Sequence, residues 1–564
     1  MERLDRVLAS SMAVSSWPGA QVHHLSDLGS DHRIILLQLH PMAAKTKANF
    51  HFDSRWIGNE EANQILQAQW LSPVSGTFQY QLHETLKLTR HELYKWAASG
   101  TSNSARQIRE LQDAISVARD QTMIDWAGIV SLEQQLSEAY LQEEIYWEQK
   151  SRTHWLTWGD SNTRFFHLTT LQKRRRNRIL LLRDDVGGIH TDEDAKGTVA
   201  VAHFGNLFAS EALEELSFVA SLNLPVLVTD SMNSALITTV TREEIKAAVF
   251  SIGGYQAPGS DGFTGIFFQT YWGLVGDLVT SVVLEFFNSG HLLPNFNHTW
   301  ITLLPKVPNA EMMRQMRPIG LCQVPYKIIS KVLTSRLRDV LPRIVSPCQN
   351  GFVKGRLITD NVLIGQEVLH FLKTKTSGHK KWMALKLDME KAYDRVEWEF
   401  LFGVMRHLGF CERWLSWLWA CVTSVSYSVL FNGAPHGYFK PHRGIRQGDP
   451  LSPLLFALYT EAFTCCINRA VAMGFLHGLK INRFCPPISH LLFADDSYIF
   501  LRASSTECHH LLQLLHEYQQ ASGQKVNLQK STVSFSANVA ERGGFSDFHS
   551  WGPIPNNFFK SNKK

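Results

Sequence analysis

Two adjacent aspartates, Asp495 and Asp496, lie between the apolar runs at residues 491–494 and 498–501. The pattern predicts a β-hairpin with both acids at its turn. Carboxylates in so apolar a setting are costly unless a cation neutralises them, and Mg²⁺ prefers carboxylate oxygens together with waters and substrate phosphates. An exposed turn with two acids explains the doublet equally well, so a metal site and a plain turn both stay open.

A third acid, Asp388, follows the apolar residues 383–387, which predict a strand, and precedes a predicted helix start at residues 389–395. A carboxylate at the C-terminal end of a strand often faces the crevice in which ligands bind. If the fold brings Asp388 beside the doublet, the three acids could hold metal ions for phosphoryl transfer. Such ions activate a 3′-hydroxyl and stabilise the leaving pyrophosphate.

Nucleotide chemistry also needs cations for a triphosphate, and upstream lysine and arginine residues supply candidates. Lys306 follows an apolar strand and Arg317 precedes another. Taken singly, Lys306 and Arg317 are each explained more simply as charged residues on the surface. In segment 446–453, Gly448 frees the backbone for a close approach and Pro453 can begin a helix. Gln447 would then lie where its amide could contact a substrate, although a loop with a helix cap is the alternative.

The composition is that of a globular protein with a buried core. The chain has 564 residues, of which 44% are hydrophobic and 19% charged, which excludes wholesale disorder. At about 150 residues per domain, this length predicts three to four units. The formal net charge of +5 permits a nucleic-acid partner without requiring one.

The eight cysteines include no CxxC pair, which argues against a zinc knuckle. Scattered cysteines in a long chain predict a reduced, intracellular protein. The N-terminus mixes charges where a signal peptide would be apolar, and no apolar run reaches about 18 residues. We therefore expect neither secretion nor a membrane segment.

Helical and strand patterns alternate along the chain. Residues 33–40 predict a strand at the end of a β-rich domain, and residues 84–150 have the composition of long helices. Residues 326–341 have apolar side chains at helical spacing. Short apolar runs and amphipathic helices alternate from about residue 241, which predicts a mixed α/β or α+β domain.

The order of the segments resembles that of the reverse transcriptase of plant LINE-type (non-LTR) retrotransposons. The likeness is carried by Lys306, by Arg317-Pro318-Ile319 and by residues 349–356, 387–394, 446–453, 493–496 and 522–531. The resemblance implies an α+β fold, that of a right-hand polymerase with fingers and an antiparallel palm sheet. A helical linker and a short β-rich endonuclease remnant would precede it.

The resemblance also implies an organisation along the chain. The expected units are an endonuclease remnant at residues 1–40, a largely helical linker at 41–240, a pre-polymerase segment at 241–285, fingers and palm at 286–540, and an unmatched tail at 541–564.

By the resemblance, the metal-binding acids are Asp388, Asp495 and Asp496. The implied cofactor is a pair of Mg²⁺ ions, with Mn²⁺ as an alternative. The implied partners are an RNA template, a DNA primer or target and deoxynucleoside triphosphates, without a membrane. A nuclear location is expected from the family, because insertion into genomic DNA takes place there.

The nucleotide-binding residues implied by the resemblance are Lys306, Arg317, Tyr393 and Gln447. Lys306 and Arg317 would contact phosphates, and Gln447 would contact the nucleotide. The ring of Tyr393 would exclude a 2′-hydroxyl. Either Lys525 or Lys530 would correspond to a lysine near the pyrophosphate.

Both ends of the chain depart from the family pattern. Residues 3–32 resemble the last part of an apurinic-type endonuclease, in which Asp5, Asp31 and His32 match acid and base positions. The upstream metal ligands have no room before Met1, so we expect no endonuclease activity. No thumb is recognisable after Ser531. The chain is therefore expected to be a copy truncated at both ends.

Two other hypotheses stay open. One is a catalytically silent nucleic-acid-binding remnant that keeps the fold without extending a primer. The other is a group II intron-type maturase, with which segment 446–453 is compatible. The linker and the endonuclease-like residues argue against the maturase.

Overall fold

The computed structural model describes residues 7–17, 20–24, 35–39, 49–99, 103–121, 125–152, 163–210 and 215–539. The predicted endonuclease residues Asp5, Asp31 and His32 lie outside the described residues, as does the tail at 541–564. The described residues form a mixture of helices and sheets, as the sequence predicted.

The helices are α1 (Ser11–Ser16), α2 (Glu60–Leu71), α3 (Phe78–Ala98), α4 (Ser104–Arg119), α5 (Trp126–Ser151), α6 (Thr163–Asn177), α7 (Glu193–Leu207), α8 (Glu215–Ser221), α9 (Asp230–Leu236), α10 (Arg242–Phe250), α11 (Gly265–Thr270), α12 (Trp272–Ser289), α13 (Val324–Ile344), α14 (Ile358–Thr374), α15 (Trp398–Leu408), α16 (Glu412–Thr423), α17 (Ser452–Ala472) and α18 (Ser505–Ser522). Short 3₁₀ helices lie at Ser54–Trp56, Pro294–Phe296, Met313–Gln315 and Ala392–Arg395.

The strands are β1 (Gln21–His24), β2 (Ile35–Gln38), β3 (Leu182–Arg183), β4 (Ile189–His190), β5 (His298–Pro305), β6 (Met316–Leu321), β7 (Trp382–Asp388), β8 (Ser426–Phe431), β9 (Ala434–Phe439), β10 (His490–Phe493), β11 (Asp496–Arg502) and β12 (Thr532–Phe535). Within the described residues, β1 pairs with β2 and β3 pairs with β4, and each pair is antiparallel.

The sheet that carries the predicted acids has the strand order β10-β11-β7-β12 and is antiparallel throughout. Its central strand β7 is buried from Trp382 to Leu385, because side chains on both faces of the sheet pack against apolar residues. Burial on both faces produces the continuous apolar run seen in the sequence rather than a strict alternation. The polar residues of β7, Lys386 and Asp388, lie at its C-terminal end and are only partly buried.

The second large sheet has the strand order β6-β5-β8-β9. Strands β5 and β8 pair in parallel and the other two contacts are antiparallel. The parallel contact requires a long connection between β5 and β8, and that connection contains β6, helices α13–α16 and strand β7. The connection between β5 and β8 therefore passes through the sheet that contains β7. Lys306 directly follows β5.

Helix α17 lies in the core and is buried over most of its length. It begins at Ser452 with a proline in its first turn, as the sequence predicted. Among the helices of the described residues, α17 is the one long and apolar enough to cross a membrane, but 78% of its apolar window is buried inside the protein. A core helix has the same length and composition.

The helices before residue 240 share a core with the sheets. Leu82 of α3 and Phe286 of α12 belong to the same cluster of buried side chains as Leu385 of β7 and Leu458 of α17. This core is continuous across residues 240 and 285. The predicted domain boundaries at these positions therefore stay predictions from the sequence.

The helix predicted to start at residues 389–395 does not form, and this prediction was wrong. Met389 instead forms a bridge with Val526, and Lys391 has the left-handed φ of +52°. A 3₁₀ turn follows at Ala392–Arg395, and helix α15 begins only at Trp398. The long-range pairing of Met389 overrides the local helix propensity.

Candidate active site

The three predicted acids lie near one another where strand β7 ends and strand β11 begins; we call Asp388, Asp495 and Asp496 the acidic corner. Asp388 lies directly opposite Asp496 in the antiparallel ladder, so the two side chains project from the same face of the sheet. Asp495 lies in the turn between β10 and β11, after Ala494 with its left-handed φ of +54°. Asp496 is the first residue of β11 rather than part of the turn.

The carboxylates of the acidic corner interact electrostatically. Desolvation raises the pKa of Asp495, and repulsion from Asp496 and Asp388 raises it further, whereas Arg317 lowers it. Repulsion of this kind requires the three carboxylates to lie near one another. The fold therefore brings an acid from one strand beside a doublet that is distant in the sequence.

Two lysines lie beside these acids. The Nζ of Lys386 lies 3.3 Å from Oδ1 of Asp496, and the Nζ of Lys530 lies 3.6 Å from Oδ2 of Asp388. Burial alone would lower the pKa of Lys386, but Asp496 raises it overall. Within the described residues, no three His, Cys, Asp or Glu side chains converge on one point as a metal-ligand set.

The acidic corner nevertheless fits a divalent cation. The Oδ2 atom of Asp388 is buried and accepts no hydrogen bond from the described residues. A buried carboxylate oxygen without a hydrogen bond is destabilising unless a cation neutralises it. Oxygen ligands of this type are those that hard divalent cations prefer. The donor set is therefore chemically suitable for such a metal.

The loop at residues 524–531 holds Lys530 beside Asp388. The backbone N–H of Asn527 donates to the carbonyl of Asp388 over 2.7 Å, and the N–H of Asp388 donates to Oγ of Ser531 over 3.2 Å. Of the two lysines predicted to lie near a pyrophosphate, the structure places the ammonium group of Lys530 next to the acidic corner. For Lys525, the carbonyl accepts a hydrogen bond from the N–H of Glu390.

The second sheet brings Lys306 and Arg317 toward the same place. Lys306 follows β5 as predicted, whereas Arg317 lies within β6 rather than before it. Partial desolvation lowers the pKa of Lys306, repulsion from Lys530 and Arg317 lowers it further, and attraction to Asp388 partly opposes the change. Lys306 and Arg317 therefore lie close enough to interact electrostatically with the acidic corner, as Lys386 and Lys530 do.

Tyr393 presents a fixed ring near Asp495. Its ring is stacked on that of Phe456 of α17, with the centroids 4.7 Å apart and the planes inclined by 13°. Burial, followed by repulsion from Asp495, raises the pKa of the Tyr393 hydroxyl. The hydroxyl therefore stays neutral, and α17 prevents the ring from swinging away from the acids.

Gln447 is held by both its side chain and its backbone. Its Nε2 donates to Oδ1 of Asp394 over 3.2 Å, and its carbonyl accepts from the N–H of Gly320 over 2.7 Å. The next residue, Gly448, has φ of +111°, and a Cβ there would lie 2.9 Å from the carbonyl oxygen of Gly320. Glycine therefore permits the contact between this loop and β6 that positions Gln447.

Comparison with known proteins agrees with this geometry. Residues 304–546 match the family model for "Reverse transcriptase (RNA-dependent DNA polymerase)". This part of the chain is similar to reverse transcriptase domains. Domains of this family use divalent metals and act on a nucleic-acid template and primer. Every residue predicted to bind the metal or the nucleotide lies within it.

Three curated proteins are similar to this chain. The transposon TX1 uncharacterized 149 kDa protein of Xenopus laevis is 28% identical over 551 residues, covering 94% of this chain and 40% of that protein. A retrovirus-related Pol polyprotein from a type-1 retrotransposable element R2 of Popillia japonica is 26% identical over 309 residues, covering 54% of this chain and 40% of that protein. An uncharacterized mitochondrial protein of Arabidopsis thaliana is 52% identical over 68 residues, covering 12% of this chain and 56% of that protein.

The chain thus spans 40% of the length of each of the first two relatives. Two of these similar proteins are described as products of a transposon and of a retrotransposable element.

Two features of the candidate site were missed in the sequence. Asp394 is fully buried, and burial raises its pKa to about 6 while Lys391 opposes the rise. Its hydrogen bond to Gln447 makes it part of the site. An acid directly after Tyr393 was the available indication.

The second missed feature is the ion pair that anchors segment 446–453. The Nη2 of Arg446 lies 2.8 Å from Oδ2 of Asp449, and both side chains are 4% exposed. The Tyr326 hydroxyl donates to Asp449 over 2.6 Å, and the N–H of Leu451 donates to the same carboxylate over 3.0 Å. The pair joins the loop to α13 and fixes the start of α17.

Proposed function

We propose that this chain is an RNA-directed DNA polymerase of a non-LTR retrotransposon, which extends a DNA primer on an RNA template. Its substrates are deoxynucleoside triphosphates and its cofactor is a pair of Mg²⁺ ions, for which Mn²⁺ can substitute. The single observation that supports this most strongly is the register of Asp388 opposite Asp496, with Asp495 in the adjoining turn.

In this proposal the acidic corner holds the metal. Bound there, the ions would activate the primer 3′-hydroxyl and stabilise the leaving pyrophosphate. The 3′-oxygen would form a bond to the α-phosphorus as its proton passes to water, while the bond from that phosphorus to the pyrophosphate breaks. Lys306, Arg317 and Lys530 lie close enough to interact electrostatically with the acids and would neutralise the triphosphate charge through charge-assisted hydrogen bonds.

The proposal gives Tyr393 and Gln447 the roles of orienting and selecting the nucleotide. The stack on Phe456 holds the Tyr393 ring where a sugar would lie, so a 2′-hydroxyl would collide with it. The hydrogen bond from Gln447 to Asp394 keeps the carboxamide at the front of α17. Both residues would act through fixed positions rather than through proton transfer.

We further assign the antiparallel sheet β10-β11-β7-β12 to the palm of a right-hand polymerase, and the sheet with β5 and β6 to the fingers. The supporting observation is that the palm sheet carries the acids whereas the fingers sheet carries Lys306 and Arg317. The antiparallel pair β1–β2 is compatible with an inactive endonuclease remnant at residues 1–40. A plant origin and a nuclear location stay proposals, the first from the family resemblance and the second from the need to reach genomic DNA.

Primer extension on poly(rA)/oligo(dT) with Mg²⁺ tests the proposal. We expect the chain to incorporate dTTP and Asp495→Asn to abolish incorporation. Asp277→Asn is a matched control, because Asp277 is an exposed acid of α12 that pairs with Arg242, and we expect this variant to retain activity.

If the folded chain incorporates no dTTP at any protein concentration, the proposed polymerase activity is contradicted. Fluorescence anisotropy with the same template–primer then distinguishes the remaining interpretation. Tight binding without extension would support the catalytically silent nucleic-acid-binding protein.

A further inference from the structure

The segment at residues 348–351 lies alongside the strand that leads into the acidic corner. The N–H of Leu492 donates to the carbonyl of Cys348 over 2.8 Å, and the N–H of Asn350 donates to the carbonyl of Leu492 over 3.0 Å. Gln349 and Leu492 form an isolated parallel bridge. A segment about 145 positions upstream of the acid doublet is therefore hydrogen-bonded to the hairpin that carries it.

The side chain of Gln349 continues this contact into the turn. It is 0% exposed. Its Oε1 accepts from the N–H of Ala494 over 3.1 Å and from the N–H of Gly351 over 2.8 Å. Its Nε2 donates to Oγ1 of Thr460 over 3.2 Å. Three elements, the 348–351 segment, the hairpin turn and α17, thus meet at one buried carboxamide.

Thr460 completes the network from the side of α17. Its hydroxyl donates to the carbonyl of Ala457 over 2.9 Å while accepting from Gln349. The Thr460 hydroxyl is therefore both donor and acceptor in this buried network. A buried hydrogen-bonded network of this kind fixes the positions of its members.

The turn needs such support because of its backbone. Ala494 has a left-handed φ of +54°, which is unfavourable for a residue with a side chain. The N–H of Ala494 is engaged by Gln349. The hydrogen bond therefore stabilises the unfavourable conformation in the residue directly before Asp495.

Gly351 provides a second, independent indication that the 348–351 segment lies close to the hairpin turn. A Cβ at position 351 would lie 2.5 Å from the backbone nitrogen of Ala494 and 2.9 Å from Oε1 of Gln349. Any side chain at this position would displace the turn or the carboxamide. The 348–351 segment is thus shaped to fit the hairpin turn.

We propose that Gln349 is a positioning residue that fixes the Ala494–Asp495 turn and thereby sets the place of Asp495 relative to Asp388. It acts through the backbone of Ala494. The consequence for catalysis rests on the proposed function, because it requires Asp495 to be a metal ligand; the consequence for the turn does not.

Hydrogen–deuterium exchange of peptides that cover β10 and β11 tests the effect on the turn, whether or not the chain is active. Gln349→Leu removes both hydrogen bonds to backbone N–H groups, so we expect exchange in this hairpin to accelerate by roughly 10-fold or more. Thr460→Val keeps the shape of its side chain and removes only the partner of Nε2, so it should give a smaller acceleration. Thr460→Val also tests the proposal if Gln349→Leu does not fold.

Gln79→Leu is the matched control. Gln79 is also a buried glutamine, and its carboxamide hydrogen-bonds the backbone of His291 and Leu293, away from the hairpin. We expect it to leave exchange in the hairpin unchanged even if it lowers the overall stability.

Restoration by a second substitution separates a specific role from general destabilisation. Glycine tolerates the φ of Ala494, so Ala494→Gly combined with Gln349→Leu should slow the hairpin exchange several-fold relative to Gln349→Leu alone. With the active chain, Gln349→Leu should lower kcat by about 10- to 100-fold with little change in the KM for dTTP. The double variant should recover part of the loss.

The proposal is overturned if hairpin exchange in Gln349→Leu matches that of the unchanged chain, or if Ala494→Gly restores nothing. A loss of activity that follows the global melting temperature equally in Gln79→Leu and Gln349→Leu also overturns it. If the unchanged chain does not extend primers, the proposed function fails while the exchange experiment still decides the role of Gln349 in the turn.

Discussion

The charged groups of segment 446–453 and those of the acidic corner differ in how far they are buried and in how closely they are paired. Arg446 and Asp449 are each 4% exposed and pair at 2.8 Å, and Tyr326, Ser330 and Leu451 also donate hydrogen bonds to the carboxylate. In the acidic corner, the side chains of Asp388 and Asp496 are 25% and 52% exposed, and their lysine partners lie at 3.6 and 3.3 Å.

The difference separates charges that hold the fold from charges that are left for a ligand. A buried pair with all its hydrogen bonds made has nothing further to bind, and breaking it leaves an uncompensated charge. Asp388 keeps one oxygen atom that accepts no hydrogen bond from the described residues, and the acids of the corner repel one another, so a cation would stabilise them. Substitutions in the two regions should therefore have different consequences.

The largest expected effect is on catalysis at the acidic corner. Asp388→Asn keeps the shape of the side chain but removes a metal-ligand charge, so we expect the rate of primer extension to fall by at least about 10³-fold. Because Asp388 is partly exposed and repelled by its neighbours, the melting temperature should change little. If Asp388→Asn unfolds the protein instead of inactivating it, the proposed difference between the charges of the acidic corner and those of segment 446–453 is contradicted.

The next effect is on stability in segment 446–453. Asp449→Asn leaves Arg446 buried without an ionic partner, which should lower the free energy of unfolding by about 3–5 kcal/mol. Urea denaturation measures this loss. Combining Arg446→Met with Asp449→Leu should cost less than Asp449→Asn alone, because no buried charge is left unpaired. Equal or greater destabilisation by the double change would contradict this interpretation.

A third prediction concerns Glu461, a buried acid without the support that Asp449 has. Its Oε1 accepts no hydrogen bond from the described residues, and burial raises its pKa to about 7, above the ordinary value of 4.5. The folded protein therefore holds this proton more tightly than the unfolded chain. Its contribution to stability is present below pH 4.5 and is lost as the pH rises through about 7.

The loss at pH 8 should be about 3 kcal/mol at most, and Glu461→Gln should remove it. Urea unfolding at pH 5 and pH 8 measures the difference between the unchanged chain and the variant. If both lose the same stability over this range, Glu461 is not the titrating group.

The smallest expected effect is on selectivity at Tyr393. Tyr393→Val removes the ring that would meet a 2′-hydroxyl, so discrimination between dTTP and UTP should relax by roughly 10- to 100-fold. Single-nucleotide incorporation with each substrate measures the ratio of kcat/KM values. Phe456→Leu removes only the ring beneath Tyr393 and should relax selectivity less. If Tyr393→Val discriminates between dTTP and UTP as strongly as the unchanged chain does, the sugar of the nucleotide does not lie against Tyr393.

The sequence predicted those parts of the molecule that depend on local pattern. The strand that ends at Asp388, the helix that begins near Pro453 and the lysine after β5 all follow from apolar runs and proline chemistry in short windows. The antiparallel sheet was implied by family resemblance, and the structure confirms it.

The features that were missed depend on contacts between distant segments. The helix expected after Asp388 gives way to the pairing of Met389 with Val526. The partners of Arg446 include Tyr326, and the carboxamide of Gln349 reaches Ala494. No window of neighbouring residues contains both members of such a pair, so local propensity cannot indicate them.

The most direct test of the account is crystallographic. Crystals of the chain with Mn²⁺ and an incoming nucleotide should give anomalous peaks between the carboxylates of Asp388 and Asp495. The two ions should be separated by about 3.5–4 Å. Ions bound elsewhere, or acids that remain paired with Lys386 and Lys530 in saturating Mn²⁺, would contradict the assignment of the acidic corner as the metal site.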